Sequence, residues 1–328
     1  MQYIDADAVQ QALKYPELID ALREAFRAQN VTVPPRHHHH YRYSANHENE
    51  NTLLLMPAWQ ADGFLGIKTV VVAPDNREQP SIQGQYTLID AATGAPKVVM
   101  DAASITARRT AAASALAADY LAPINASTLL MVGTGTLAPE LIRAHACVRP
   151  IKEVLIWGRD PDKAQAVARS LIGEPFNVNI CNDIQSGMQR ADIVSCATMS
   201  KTPLLFGKWL REEQHIDLVG AYRPDMREAD DLLVKRVALY ADVLPHALSE
   251  TGDLAIPIAE GIIDPQSILG DLPKLCQAKA PLPRSGVTCF KSVGQALEDL
   301  VAAQLTYKRI AGSSKTDHKT GIFHTETL

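Results

Sequence analysis

The chain has no long apolar run, no paired cysteines and no excess of positive charge, and each absence closes off a class of protein. Nothing in its 328 residues approaches the roughly 18 consecutive apolar side chains of a membrane-spanning helix. The opening stretch, MQYIDADAVQQAL, lacks the basic start and apolar core of a secretory leader, so the expected location is cytoplasmic. Five cysteines, Cys147, Cys181, Cys196, Cys276 and Cys289, are odd in number, widely spaced and without a CxxC pair. They read as reduced, mostly buried side chains. A formal net charge of −5 argues against nucleic acid or an anionic membrane as partner. An anionic substrate must then be drawn by a local cluster of cations. Internal repeats are absent too, and the one low-complexity segment is the histidine run His37 to His40.

What is present is the composition of an ordinary globular protein, 46% apolar and 21% charged, long enough for two domains. Helical periodicity covers about the first 30 residues (Val9, Leu13, Leu18, Leu22, Ala25, Phe26). Strand-like runs follow at Asn51 to Met56, Phe64 to Val72, Tyr86 to Asp90 and Pro96 to Met100, each bounded by Gly, Pro, Asn or Asp. An alanine-rich helix, Ala103 to Leu121, then leads into alternating strands and helices. Its strands fall at Ser127 to Val132, Glu153 to Trp157, Asp192 to Ala197 and Ile216 to Gly220. This is an α/β protein: a Rossmann-type doubly wound domain at 124–299, plus a discontinuous α+β domain from 1–123 and about 300–328. A last strong helix is expected at Val293 to Thr306, followed by a loosely held polar tail from Ser313.

The turn after the first of these strands, Gly133-Thr134-Gly135-Thr136-Leu137-Ala138, carries the chemistry of dinucleotide binding. Gly133 permits the tight turn, Gly135 lets backbone N–H groups approach a pyrophosphate, and the small Ala138 lets the next helix pack closely. The helix N-terminus faces the anion, and Pro139 fits the first turn because no N–H is needed there. At the end of the second strand, where an NAD site usually has an acidic residue for the ribose 2′-hydroxyl, the chain reads Gly158-Arg159. Arg159 could pair with a 2′-phosphate, which favours NADPH. The adjacent Asp160 keeps NADH open.

The histidine run lacks acidic or cysteine partners at a metal-ligand spacing, and in an extended strand only alternate rings share a face. No metal is expected. Among the cations, Lys68 sits inside Gly66-Ile67-Lys68-Thr69-Val70-Val71-Val72, where a charge is either paired or placed on an exposed edge. Arg108 and Arg109 lie in the alanine-rich helix, whose geometry exposes only one of them if the alanine face is buried. Arg36 follows Pro34-Pro35.

VMDAASITARRTAAASALAADYLA, VGTGTLA, GAYRPDMREAD (220–230) and FKSVGQALEDL (290–300) together resemble the ornithine cyclodeaminase and mu-crystallin family, in order and across most of the chain. The resemblance implies a homodimer with a subunit-bridging sheet and a substrate bound against the nucleotide. It also implies that Lys68, Arg109 and Arg36 hold a substrate carboxylate. The cofactor contacts expected with it are Thr110, Gly133, Thr134, Gly135, Thr136, Leu137, Arg159, Ala197 and Thr198. Cyclodeaminases look to carry an aspartate after the fifth strand, whereas this chain has Tyr222 there, with Asp225 beyond Pro224.

The chain is thus similar to the ketimine-reducing branch, which implies reduction of Δ1-pyrroline-2-carboxylate or Δ1-piperideine-2-carboxylate to proline or pipecolate. On this reading Lys68 also relays a proton, its pKa lowered by burial beside other cations. An ammonia-releasing cyclodeaminase, an alanine-dehydrogenase-like enzyme and a non-enzymatic NADPH and carboxylate binder are the alternatives.

Overall fold

A computed structural model describes residues 2–44, 49–278 and 286–317. The chain forms two compact units, one of Met1–Leu18, Asn30–Arg108 and Ala296–Leu328, the other of Ile19–Gln29 and Arg109–Gln295. The division falls inside the Ala102–Leu121 helix, whereas the sequence reading places it after that helix, at 123.

The first unit is built on β1 (Gln2–Ile4), β2 (Val31–Thr32), β3 (His37–Tyr41), β4 (Asn51–Gln60), β5 (Phe64–Val72), β6 (Ile82–Asp90) and β7 (Pro96–Asp101). They are ordered β1-β7-β6-β5-β4-β2, with β3 also on β4, and all pairs are antiparallel except β1 with β7. Alternation puts Met56, Ala58, Lys68, Tyr86, Leu88, Val98 and Met100 on the buried face, and the Ala296–Asp317 helix packs against β4, β5 and β6. The far ends of the same strands are uncovered: β3 is exposed throughout, as are Ile82 to Gln85.

Two strands outrun their expected limits. β4 passes through Pro57, because β3 pairs only with 51–55 and β2 only with 59–60, so no ladder on that side needs a proline N–H. β6 begins at Ile82, where Gln83, Gly84 and Gln85 give no apolar signal because their faces are open. The Ala296–Asp317 helix also continues into the segment expected to be loose, and the tail from His318 lies outside the described residues.

The second unit is an all-parallel sheet of β8 (Thr128–Val132), β9 (Glu153–Trp157), β10 (Asn177–Ile180), β11 (Ile193–Cys196), β12 (His215–Leu218), β13 (Ala238–Ala241), β14 (Gly270–Asp271) and β15 (Thr288–Lys291). The order β10-β9-β8-β11-β12-β15-β13-β14 reverses direction at β8, the doubly wound arrangement. Both faces are covered, so β8, β11 and β12 read as continuous buried runs. Leu130, Val132, Leu155, Val194, Ile216 and Leu218 form its core. Cys196, Cys276 and Cys289 are buried and Cys147 is exposed; the five cysteines form no disulfide. No helix among the described residues is long and apolar enough to cross a membrane.

Candidate active site

The glycine turn stands where the strand order reverses. Gly133 has a φ of 123°, and a Cβ there would lie 2.4 Å from the Ala197 carbonyl oxygen, so the end of β8 presses directly on the end of β11. Its N–H donates to the Trp157 carbonyl at 2.9 Å, which ties the same turn to β9. Gly135 differs. A Cβ there would meet nothing within 4 Å, and both Gly135 and Thr136 are exposed, so the backbone is open to an approaching ligand.

The Leu137–Val148 helix then starts at Thr136, whose side chain makes no capping bond. The next two helices of the sheet are capped by aspartates: Asp160 accepts from Asp162 and Lys163, and Asp183 from Ser186. No side-chain cap therefore competes for the N–H groups of that first turn, of which the Ala138 N–H donates to the Gly135 carbonyl at 3.0 Å. Buried Ala138 lets that helix sit close to the sheet, as the spacing predicts.

Arg159 and Asp160, the two residues expected near a ribose, follow β9. The Asp160 carboxylate is engaged by the N–H groups of Asp162 at 3.0 Å and Lys163 at 3.4 Å. Arg159 is exposed and makes no hydrogen bond or ion pair among the described residues. A Cβ on Gly158 would fall 2.5 Å from the Thr134 methyl, so the glycine before Arg159 also shapes the glycine turn.

The carboxylate-binding candidates are placed as follows. Lys68 lies on β5, interior to the sheet, which rules out an edge lysine; it is buried and its Nζ is 2.7 Å from Asp299 Oδ2. It also donates to Thr106 Oγ1 at 3.4 Å. The Asp299 carboxylate sets an opposite charge against this buried lysine, which offsets part of the cost of burying it.

Thr106 and Arg109 are three residues apart on one helix and share a face. Arg109 is 6% exposed, and Gly294, with φ of 73°, leaves room for its guanidinium, since a Cβ would lie 2.2 Å from Nη1. Arg108 is the more open of the pair, with its guanidinium over the Tyr15 ring at 4.8 Å and a bond to the Gln10 carbonyl. Thr110 is buried and Arg36 half-buried. The histidines form an exposed strand, and no cluster of metal-ligating side chains occurs among the described residues.

Sequence reasoning did not single out Asp299, or the buried charges Glu228, Asp253 and Lys291. Asp299 and Lys291 sit in FKSVGQALEDL and Glu228 in GAYRPDMREAD. A charge among apolar neighbours, as in Cys289-Phe290-Lys291, was the available signal.

The model of the ornithine cyclodeaminase/mu-crystallin family matches residues 3–314. A Delta(1)-pyrroline-2-carboxylate reductase of Colwellia psychrerythraea is 35% identical over 95% of this chain and 100% of its own length. A ketimine reductase mu-crystallin of Rattus norvegicus is 32% identical over 88% of this chain and 95% of its own. Among solved structures, the Delta(1)-pyrroline-2-carboxylate reductase of Thermococcus litoralis in complex with NADH and L-proline superposes with a TM-score of 0.88 at 29% identity, covering 96% of this chain and 98% of the other.

Proposed function

Because the chain belongs to the ornithine cyclodeaminase/mu-crystallin family, we propose that it is an NAD(P)H-dependent reductase of cyclic imino acids, converting Δ1-pyrroline-2-carboxylate, and its six-membered homologue, to proline and pipecolate. The likeness along nearly the whole chain to reductases of that name carries the substrate assignment. The open turn at Gly133 and Gly135, followed by an uncapped helix, supports the nucleotide.

The bound nucleotide supplies a hydride from its nicotinamide. This chain's residues orient the substrate and hold charge. Arg36, Lys68 and Arg109 grip the carboxylate, each charge-assisted bond contributing roughly 1.5–3 kcal/mol. That grip would fix the substrate in one orientation for hydride transfer. Arg159 favours NADPH over NADH, since it is exposed and unpaired among the described residues while Asp160 is committed to its helix. Thr110, Thr134, Thr136, Leu137, Ala197 and Thr198 complete the nucleotide contacts.

A homodimer accounts for the uncovered half of the first unit's sheet, where β3 and Ile82 lie open.

Oxidation of NADPH and NADH, followed with five- and six-membered cyclic imino acids, tests the reading. Turnover with both rings and a lower KM for NADPH is expected. Ammonia release from ornithine with no net nucleotide consumption would make the chain a cyclodeaminase instead.

A further inference from the structure

The C-terminal edge of the parallel sheet is drawn together by three buried charged side chains. Glu228 accepts at Oε1 from the Thr198 N–H at 2.7 Å and the Thr198 hydroxyl at 2.9 Å. At Oε2 it accepts from the N–H groups of Gly220 at 2.8 Å and Ala221 at 3.2 Å. Asp253 holds the other side, its Oδ1 accepting from the Glu228 and Ala229 N–H groups at 2.7 and 3.1 Å. Lys291 at the end of β15 completes the group, with Nζ 3.1 Å from Asp253 Oδ2 and 4.0 Å from Glu228 Oε2. All three side chains are fully buried. Burial alone would lower the Lys291 pKa, but the two carboxylates more than reverse this and hold it above the ordinary lysine value.

One carboxylate thus fixes the turns leaving two neighbouring strands, β11 and β12, and a lysine at the end of a third balances part of its charge. The turns are pressed together: a Cβ on Gly220 would lie 1.9 Å from the Thr198 carbonyl oxygen. Two carboxylates against one ammonium is a costly interior for stability alone, since well-packed apolar residues in place of buried ion pairs are often neutral or stabilising. The remaining charge is met by the N–H groups of the turns themselves, so what the cluster specifies is their geometry.

The nucleotide's own layout says what those turns serve. In a doubly wound sheet the pyrophosphate sits at the first turn, here Gly133 to Gly135, and the ribose with its 2′ group lies toward the second strand, here beside Arg159. The other half of the dinucleotide then falls over the ends of β11 and β12, where Thr198 and Gly220 are.

We propose that Glu228, supported by Asp253 and Lys291, is a positioning residue for the nicotinamide half of the cofactor, acting through the backbone of Thr198, Gly220 and Ala221 without touching the cofactor itself. The inference rests on the nucleotide reading given above and separates the two halves of the ligand. Glu228→Gln replaces an acceptor with a donor facing N–H groups, so the two turns should part. Titration of the purified variant with NADPH, and with 2′-phospho-ADP-ribose as a probe lacking the nicotinamide, reads this out. NADPH affinity should fall about tenfold or more, with kcat falling as well, while 2′-phospho-ADP-ribose binds as it does to the wild type. Lys291→Met should give the same split.

Equal weakening of both ligands, or of neither, would overturn the proposal in favour of a purely structural cluster. Should Glu228→Gln not fold, Glu228→Asp, which keeps the charge and withdraws it by one methylene, carries the same comparison. Wild-type protein that binds neither ligand would contradict the nucleotide reading instead.

Discussion

Lys68 and Asp299 face each other at 2.7 Å inside the first unit, and a buried ammonium survives there because the carboxylate is present. Lys68→Met should lower the rate of imine reduction by about a hundredfold while NADPH still binds, and near-normal turnover would remove Lys68 from the chemistry. Asp299→Asn leaves the ammonium without its partner and should cost about 3 kcal/mol in urea unfolding, because one member of a buried pair is then uncompensated.

A second buried group answers to pH. Burial, aided by His145 and Arg149 and opposed by Asp217, lowers His215 from 6.5 to about 3. Between those values the unfolded chain binds a proton that the folded chain refuses, so the contribution of His215 to stability is present above pH 6.5 and falls as the pH drops toward 3. The stability difference between wild type and His215→Gln should therefore change by about 2 kcal/mol between pH 7.5 and pH 5, measured as urea midpoints. A pH-independent difference would place the charged form inside the fold.

The strand-turn-helix element from β8 to Val148 shows how two glycines in one turn do different jobs. Gly133 is needed by the fold, through its φ of 123° and its approach to Ala197, whereas Gly135 has open space around its missing side chain. Gly133→Ala should lower both the melting temperature and NADPH affinity. Gly135→Ala should leave the melting curve unchanged and weaken NADPH alone, because the methyl group stands where the pyrophosphate comes. Identical behaviour of the two variants in thermal melts would contradict this division.

That turn was legible in the sequence because glycine spacing, the apolar strand and the missing acidic residue are all local. β4 and β6 were underestimated because Pro57 and Gly84 carry strand-breaking signals that only the partners' positions cancel. The Glu228 and Asp299 contacts stayed hidden for a related reason. Each joins residues far apart in the chain, such as Lys68 with Asp299, and no spacing rule brings them together.

At the scale of the molecule, each unit carries a separate part of the proposed work. One offers a doubly wound sheet with an open glycine turn; the other offers a mixed sheet with a buried lysine and an uncovered half. Sedimentation equilibrium should report twice the chain mass at micromolar concentration, and a monomer would leave the open strands β3 and β6 without the partner assigned to them. Hydride delivery to an imine carbon is read out by isotope transfer. With NADPH deuterated at the transferring position of nicotinamide C4 and Δ1-pyrroline-2-carboxylate in ordinary water, mass spectrometry of the proline formed should find one deuterium on the α-carbon. Proline without label, or no proline at all from this pair, would rule out direct hydride transfer to the imine.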